Sequence, residues 1–115
     1  MEPWLRKFRL AARGIMWGIR GQSSFAVHLP SAIAVISLAI LLHCPIWEWC
    51  VLIACIGGVF AAELANSALE ELAAVVSPEH NVRVGRALDI ASGAVLIASI
   101  TAAIIGLLVF LPRLL

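Results

Sequence analysis

From Ile90 to Phe110 the chain carries no charged residue, and Leu111-Pro112-Arg113 closes the run. At about 1.5 Å of rise per helical residue, this stretch matches a hydrocarbon core roughly 30 Å thick. In hydrocarbon every backbone N–H and C=O must find a partner within the protein, so the run is expected to be a membrane helix. Composition enters here as a check. Of 115 residues, 63% are apolar and 13% charged, more apolar surface than a soluble domain of this size can hide.

Two further runs follow the same logic. Leu29 to Leu42 is charge-free, can be lengthened by Phe25 to Val27, and ends at His43-Cys44-Pro45. Trp47 and Trp49 resemble an interfacial anchor ahead of the apolar run Cys50 to Ala62. The helical pattern then continues to Val76, and Ser77-Pro78 is the expected stop, because proline disfavours helical geometry in the residue before it. Residues 4–20 do not form a span. Leu5, Phe8, Ala12, Ile15 and Ile19 recur at helical spacing beside Arg6, Arg9, Arg13 and Arg20, the pattern of a basic amphipathic helix lying on a membrane surface. This helix can serve as an anchor or hold anionic phosphates. The segment lacks the continuous apolar core and cleavage site of a signal peptide. Gly57-Gly58 is expected to permit close helix packing, and Cys44, Cys50 and Cys55 have no metal spacing and read as small packing residues.

The expected fold is therefore an all-α membrane protein: one domain over 1–115, with a surface helix at about 4–20 and spans at about 26–43, 47–72 and 90–111. Charge gives it a direction. Arg6, Lys7, Arg9, Arg13 and Arg20 precede the first span, and Arg83 and Arg86 follow the second. The opposite side has Arg113. The excess of basic residues on cytoplasmic segments puts the N-terminus and the second loop in the cytoplasm.

Span two ends in acids. Glu63, Asn66 and Glu70 share one helical face, with Glu71 beside it. Glu63 lies about 14 residues, or roughly 21 Å, beyond Trp49, near the cytoplasmic edge of the hydrocarbon. Ionisable groups at such depth cost several kcal/mol unless paired, hydrated or metal-bound. Two carboxylates and an amide offer the oxygen ligands that Mg²⁺ prefers, and a carboxylate at the core's edge can accept a proton from a lipid hydroxyl. A polar clasp between helices explains the same residues without catalysis, and both readings stay open on pattern alone. The chain has no Gly-rich loop ending in Lys-Ser or Lys-Thr, and no GxGxxG after a strand.

The stretch ELANSALEELAAVVSPEHNVRVGRALDIASGAVLIA resembles the signature of the prokaryotic diacylglycerol kinase family, which includes the undecaprenol kinases of Gram-positive bacteria. That signature runs approximately E-x-x-N-[ST]-A-[IL]-E, an acidic residue, a short loop, then A-K-D-x-[AG]-[AS]-[AG]-A-V-L. RGIMWGIRGQSSFAVHL resembles the family's N-terminal segment, and IIGLLVFLPRLL its last span. The resemblance implies a homotrimer in the bacterial inner membrane that moves the γ-phosphate of MgATP to the hydroxyl of diacylglycerol or undecaprenol, with no nucleic-acid partner. It implies Glu63 as general base at the lipid substrate, Glu70 as a metal ligand with Asn66 beside it, Glu79, His80, Asn81 and Asp89 bordering the nucleotide, and Ser92 near the lipid. Three positions depart from the pattern. Gln22 stands where a second metal-binding glutamate is usual, Ala74 replaces an aspartate, and Leu88 replaces the lysine expected at ATP phosphates. Arg86 or Arg13 is placed to compensate. The alternative is a catalytically weakened or inactive relative that keeps the fold and binds lipid as a structural protein. A small multidrug-type transporter fits less well, since it wants a carboxylate at mid-membrane and usually four spans.

The charge distribution makes a prediction. A reporter fused after Leu115 should read extracytoplasmic and one inserted near Asn81 cytoplasmic; a cytoplasmic C-terminus overturns the three-span arrangement.

Overall fold

The computed structural model describes residues 2–21, 25–76, 79 and 81–115. All of its regular structure is helical: α1 (Glu2–Gly21), α2 (Phe25–Leu41), α3 (Ile46–Val76) and α4 (Val82–Leu114). α3 packs chiefly on α4 and makes smaller contacts with α1 and α2. The end of α2, the start of α3 and the end of α4 meet in one cluster of Ala39, Cys44, Leu52, Val109 and Phe110. α2 and α4 therefore run side by side in one direction, with α3 antiparallel to both.

Two helices, α3 and α4, are long and apolar enough to cross a membrane by themselves. α2 has 17 residues, about 25 Å of helix, and is short for a full span. α1 and α2 pass the same test only as a pair, and they meet at 106°, so they do not form one straight rod. Most of the apolar surface faces outward. Only 11% of the most apolar stretch of α4 is buried inside the protein, and Leu96, Ile97, Leu107 and Leu108 are all exposed. Such a surface must meet lipid or another protein.

The helix ends have local causes. α2 closes in a Schellman motif: the Cys44 N–H donates to the Ala39 carbonyl at 3.1 Å and the His43 N–H to that of Ile40 at 3.2 Å. His43 sits at the left-handed position, φ 51°, where glycine is usual. The motif carries its customary apolar contact, since Ala39 and Cys44 both belong to the buried cluster. α4 begins eight residues before the expected span. Asn81 caps it, its Oδ1 accepting from the N–H groups of Arg83 at 2.9 Å and Val84 at 3.2 Å, so Arg83, Arg86 and Asp89 lie on helix and not in a loop. At the other end α4 runs through Pro112 to Leu114. A proline in the last turn gives up few hydrogen bonds, and the helix continues past the expected stop.

One expectation fails within the protomer. A Cβ added at Gly57 or Gly58 would meet nothing within 4 Å, so no helix of this chain packs there. The close approach is at Gly18, where a Cβ would overlap the Leu64 side chain and where α1 leans on α3.

A polar contact seals the end of the bundle where α3 starts and α4 finishes. Arg113 donates from Nε and Nη2 to Glu48 Oε1, both at 2.8 Å, and the Glu48 side chain is 9% exposed. Burial pushes the Cys44 thiol pKa up, its hydrogen bond to Glu48 adds to this, and Arg113 opposes it. Arg113 is itself about a third exposed, so the pair is worth less than a fully buried one. Arg113→Met, which leaves the Glu48 carboxylate unpaired, should lower stability by about 1–3 kcal/mol. Glu48→Gln, which keeps an acceptor oxygen for Arg113, should cost less. Thermal unfolding in lipid-containing micelles checks this, and equal losses would remove the clasp as an explanation.

Candidate functional site

Glu63 and Asn66 lie one turn apart on α3, both buried, at 2% and 8% exposure. Their neighbours are local and distant. Ser67 Oγ donates to the Glu63 backbone carbonyl at 2.9 Å, and Asn66 Nδ2 donates to Glu70 Oε1 at 2.7 Å. These bonds span four residues, the reach of one helical turn, so the 63–66–70 face acts as a preset row. Across the bundle, His28 of α2 brings Nε2 to 3.0 Å from Glu63 Oε1. The start of α2 is held there by an edge-to-face contact of Phe25 with Phe60, centroids 5.5 Å apart.

Two oxygens of this row are left over. Glu63 Oε2 and Asn66 Oδ1 are buried with no hydrogen-bond partner among the described residues. Buried polar atoms are nearly always satisfied, because an unmet one costs about 1–3 kcal/mol, so two on one face are candidates for contact with a ligand. Next to this end lies a cavity of about 310 Å³ between α2, α3 and α4, walled by groups such as Val27, His28, Val59 and Phe60 and continuing down to Gly106. Its lining is apolar apart from His28, Ser31, Cys55 and Ser99.

A second cleft opens beyond the row. Glu70, Glu79 and Asn81 come together there with Ala74, Gly85 and Leu88 between the end of α3 and the start of α4. Three candidates that are scattered in sequence thus share one wall. Asp89 and Ser92 are exposed on α4 and do not line this cleft. Asn81 has a structural duty as the α4 cap, which commits its side-chain oxygen. Gln22 and His80 lie outside the described residues. Glu71 is exposed and lines a separate cleft between α1 and α3, with Gly18 and Ser67.

Among the described residues no three His, Cys, Asp or Glu side chains form a cage. Mg²⁺ does not need one, since it commonly sits on one or two carboxylates together with substrate phosphates. Glu70 with the unpartnered Asn66 Oδ1 fits that mode.

His28 was not among the candidates read from the sequence. It is separated from Glu63 by 35 positions, and no local periodicity links them. Its one signal was an ionisable ring near the start of an otherwise charge-free run.

An all-helical bundle with apolar membrane-length helices, and with Glu63, Asn66 and Glu70 in a row on α3, is the frame of an integral membrane protein. The prokaryotic diacylglycerol kinase model matches residues 9–110, and the chain belongs to that family. It is 36% identical over 114 residues to an undecaprenol kinase of Bacillus subtilis, covering 99% of this chain and 93% of that protein. It is 37% identical over 112 residues to a diacylglycerol kinase of Synechocystis sp., covering 96% of this chain and 64% of that longer one. No solved structure matches the chain.

Proposed function

We propose that the protein is an ATP-dependent kinase of a membrane lipid alcohol, working at the cytoplasmic face of the bacterial inner membrane with α2 as its third span. The observation that carries this is Glu63: a carboxylate at 2% exposure, one oxygen without a partner among the described residues, bonded through the other to His28, which lines an apolar cavity. The substrate is of the undecaprenol or diacylglycerol type. Similarity to the undecaprenol kinase over nearly the full length of both chains supports the single-chain isoprenoid alcohol as the first to test.

The chemistry follows from the row. A lipid chain lies among the apolar helices with its hydroxyl at Glu63. Oε2 accepts the hydroxyl proton as the lipid oxygen bonds to the γ-phosphorus, and the bond from that phosphorus to the bridging oxygen breaks to release ADP. Phosphoryl transfer of this kind asks the protein for placement and charge, with little covalent work. Glu70 and Asn66, with Gln22, are the side chains that would hold Mg²⁺, which when bound neutralises charge on the phosphates. Glu79, His80, Asn81 and Asp89 border the nucleotide in this reading, Ser92 lies toward the lipid, and Arg13 or Arg86 supplies the positive charge that Leu88 lacks. A homotrimer is supported by the open faces at Gly57 and Gly58 and by the exposed apolar wall of α4.

The test is transfer of labelled phosphate from ATP to each lipid by purified protein in micelles. Glu63→Gln should reduce the rate by about 10² to 10⁴-fold, the usual range for a general base, with assembly unchanged. A rate that survives this change makes Glu63 structural and returns the site to a polar clasp.

Metal dependence gives a further prediction. Gln22 adds an oxygen without charge, so half-maximal activity should need more Mg²⁺ than it does in Gln22→Glu, while Glu70→Gln should abolish transfer. A Mg²⁺ titration at saturating ATP reads both. A half-maximal concentration that Gln22→Glu leaves unmoved would show that position 22 is no ligand.

A further inference from the structure

We propose that His28 is a positioning residue for Glu63, fixing which carboxylate oxygen meets the substrate. This rests on the reading of Glu63 as general base. A glutamate's terminal torsion is soft and nearly two-fold, so an unrestrained carboxylate presents either oxygen. Here Oε1 lies 3.0 Å from His28 Nε2, and Oε2 is the buried oxygen left without a partner. An ionised carboxylate only accepts hydrogen bonds, so Nε2 must carry the proton that joins them.

The imidazole is itself well placed to hold a fixed direction. It projects from the first turn of α2, three residues after Phe25, which is 3% exposed and braced on Phe60. The bond reaches across helices to a carboxylate whose backbone carbonyl is also engaged, by Ser67. The ring is 20% exposed against 3% for the Glu63 side chain, and it lines the apolar cavity. It thus touches both the cavity and the carboxylate. In the transfer step His28 keeps its proton and its bond to Oε1, while Oε2 takes the proton from the lipid hydroxyl. A hydrogen bond to a charged group is among the stronger kinds, and a small misplacement of a reacting group is costly.

The test compares His28→Gln, His28→Asn and His28→Leu in the full chain, in lipid-containing micelles, with ATP and either undecaprenol or diacylglycerol. Glutamine puts an amide N–H where Nε2 stands; asparagine is too short to do so. Leucine and asparagine should lower kcat about 10- to 10²-fold, with KM for ATP and lipid held within about twofold, and glutamine should restore kcat to within about fivefold of wild type. On a Glu63→Gln background, His28→Leu should cost nothing further, because His28 acts through that carboxylate. If leucine prevents folding, the contrast between glutamine and asparagine decides alone. An active wild type whose kcat ignores asparagine and leucine, or a histidine loss that adds in full to Glu63→Gln, overturns the inference. A wild type that phosphorylates neither lipid overturns the kinase reading first, and the inference with it.

Discussion

A carboxylate withdrawn from water among apolar helices has to find donors, because its desolvation costs several kcal/mol and lipid offers none. α3 carries two such groups, Glu48 near its start and Glu63 in its second half, both under a tenth exposed. Each is met by a cation or ring from a different helix. Glu48 meets Arg113 at the end of α4, and Glu63 meets His28 at the start of α2. The antiparallel order of α2, α3 and α4 follows from serving both. Apolar contacts between helices cannot enforce that order so strictly, since lipid tails are as apolar as leucine side chains.

The two carboxylates are not equivalent. Glu48 takes two N–H donors on one oxygen and a thiol besides, which is how a group looks when its task is to hold helices together. Glu63 has a single cross-helix donor and an oxygen with none. The same contrast holds between Ser67 and Asn66, next to each other in sequence. Ser67 spends its hydroxyl on the backbone, whereas Asn66 spends its amide nitrogen on Glu70 and keeps Oδ1 unmet. Satisfied polar groups stabilise, and it is the unsatisfied ones on which the proposed site rests.

Features governed by neighbouring residues were legible in the sequence. The uncharged run of Ile90 to Phe110, the turn at His43-Cys44-Pro45 and the shared face of Glu63, Asn66 and Glu70 are all decided within a few turns. Even the early start of α4 had its signal, because Asn81 ahead of Val82 is an ordinary N-cap; it was masked by reading Arg83 and Arg86 as loop charges. What stayed hidden depends on distant pairings. Partners 35 and 65 positions apart leave no trace in periodicity, so His28 and Arg113 went unrecognised as the other halves of Glu63 and Glu48. Gly57-Gly58, which no helix of the protomer approaches, shows a related limit. Small residues announce that a close approach is allowed, and not which surface makes it.

In the proposed reading, the register of α3 is what lets one helix serve both a lipid and a nucleotide. Glu63 and Glu70 are two turns apart, about 10 Å along the axis, and Asn66 lies between them bonded to the second. The apolar cavity lies on the membrane side of Glu63, and the cleft shared by Glu70, Glu79 and Asn81 lies beyond, where α3 runs on to Val76. In that reading, a hydroxyl delivered from the hydrocarbon and a phosphate delivered from water would arrive from opposite directions at the same face. The reacting atoms would then meet between residues 63 and 70, a stretch whose buried oxygens without a hydrogen-bond partner among the described residues are Glu63 Oε2 and Asn66 Oδ1. A general base displaced toward Val59 would sit among lipid chains, and one displaced past Glu70 would lose the burial that excludes water as a competing acceptor. Position 63 satisfies both limits.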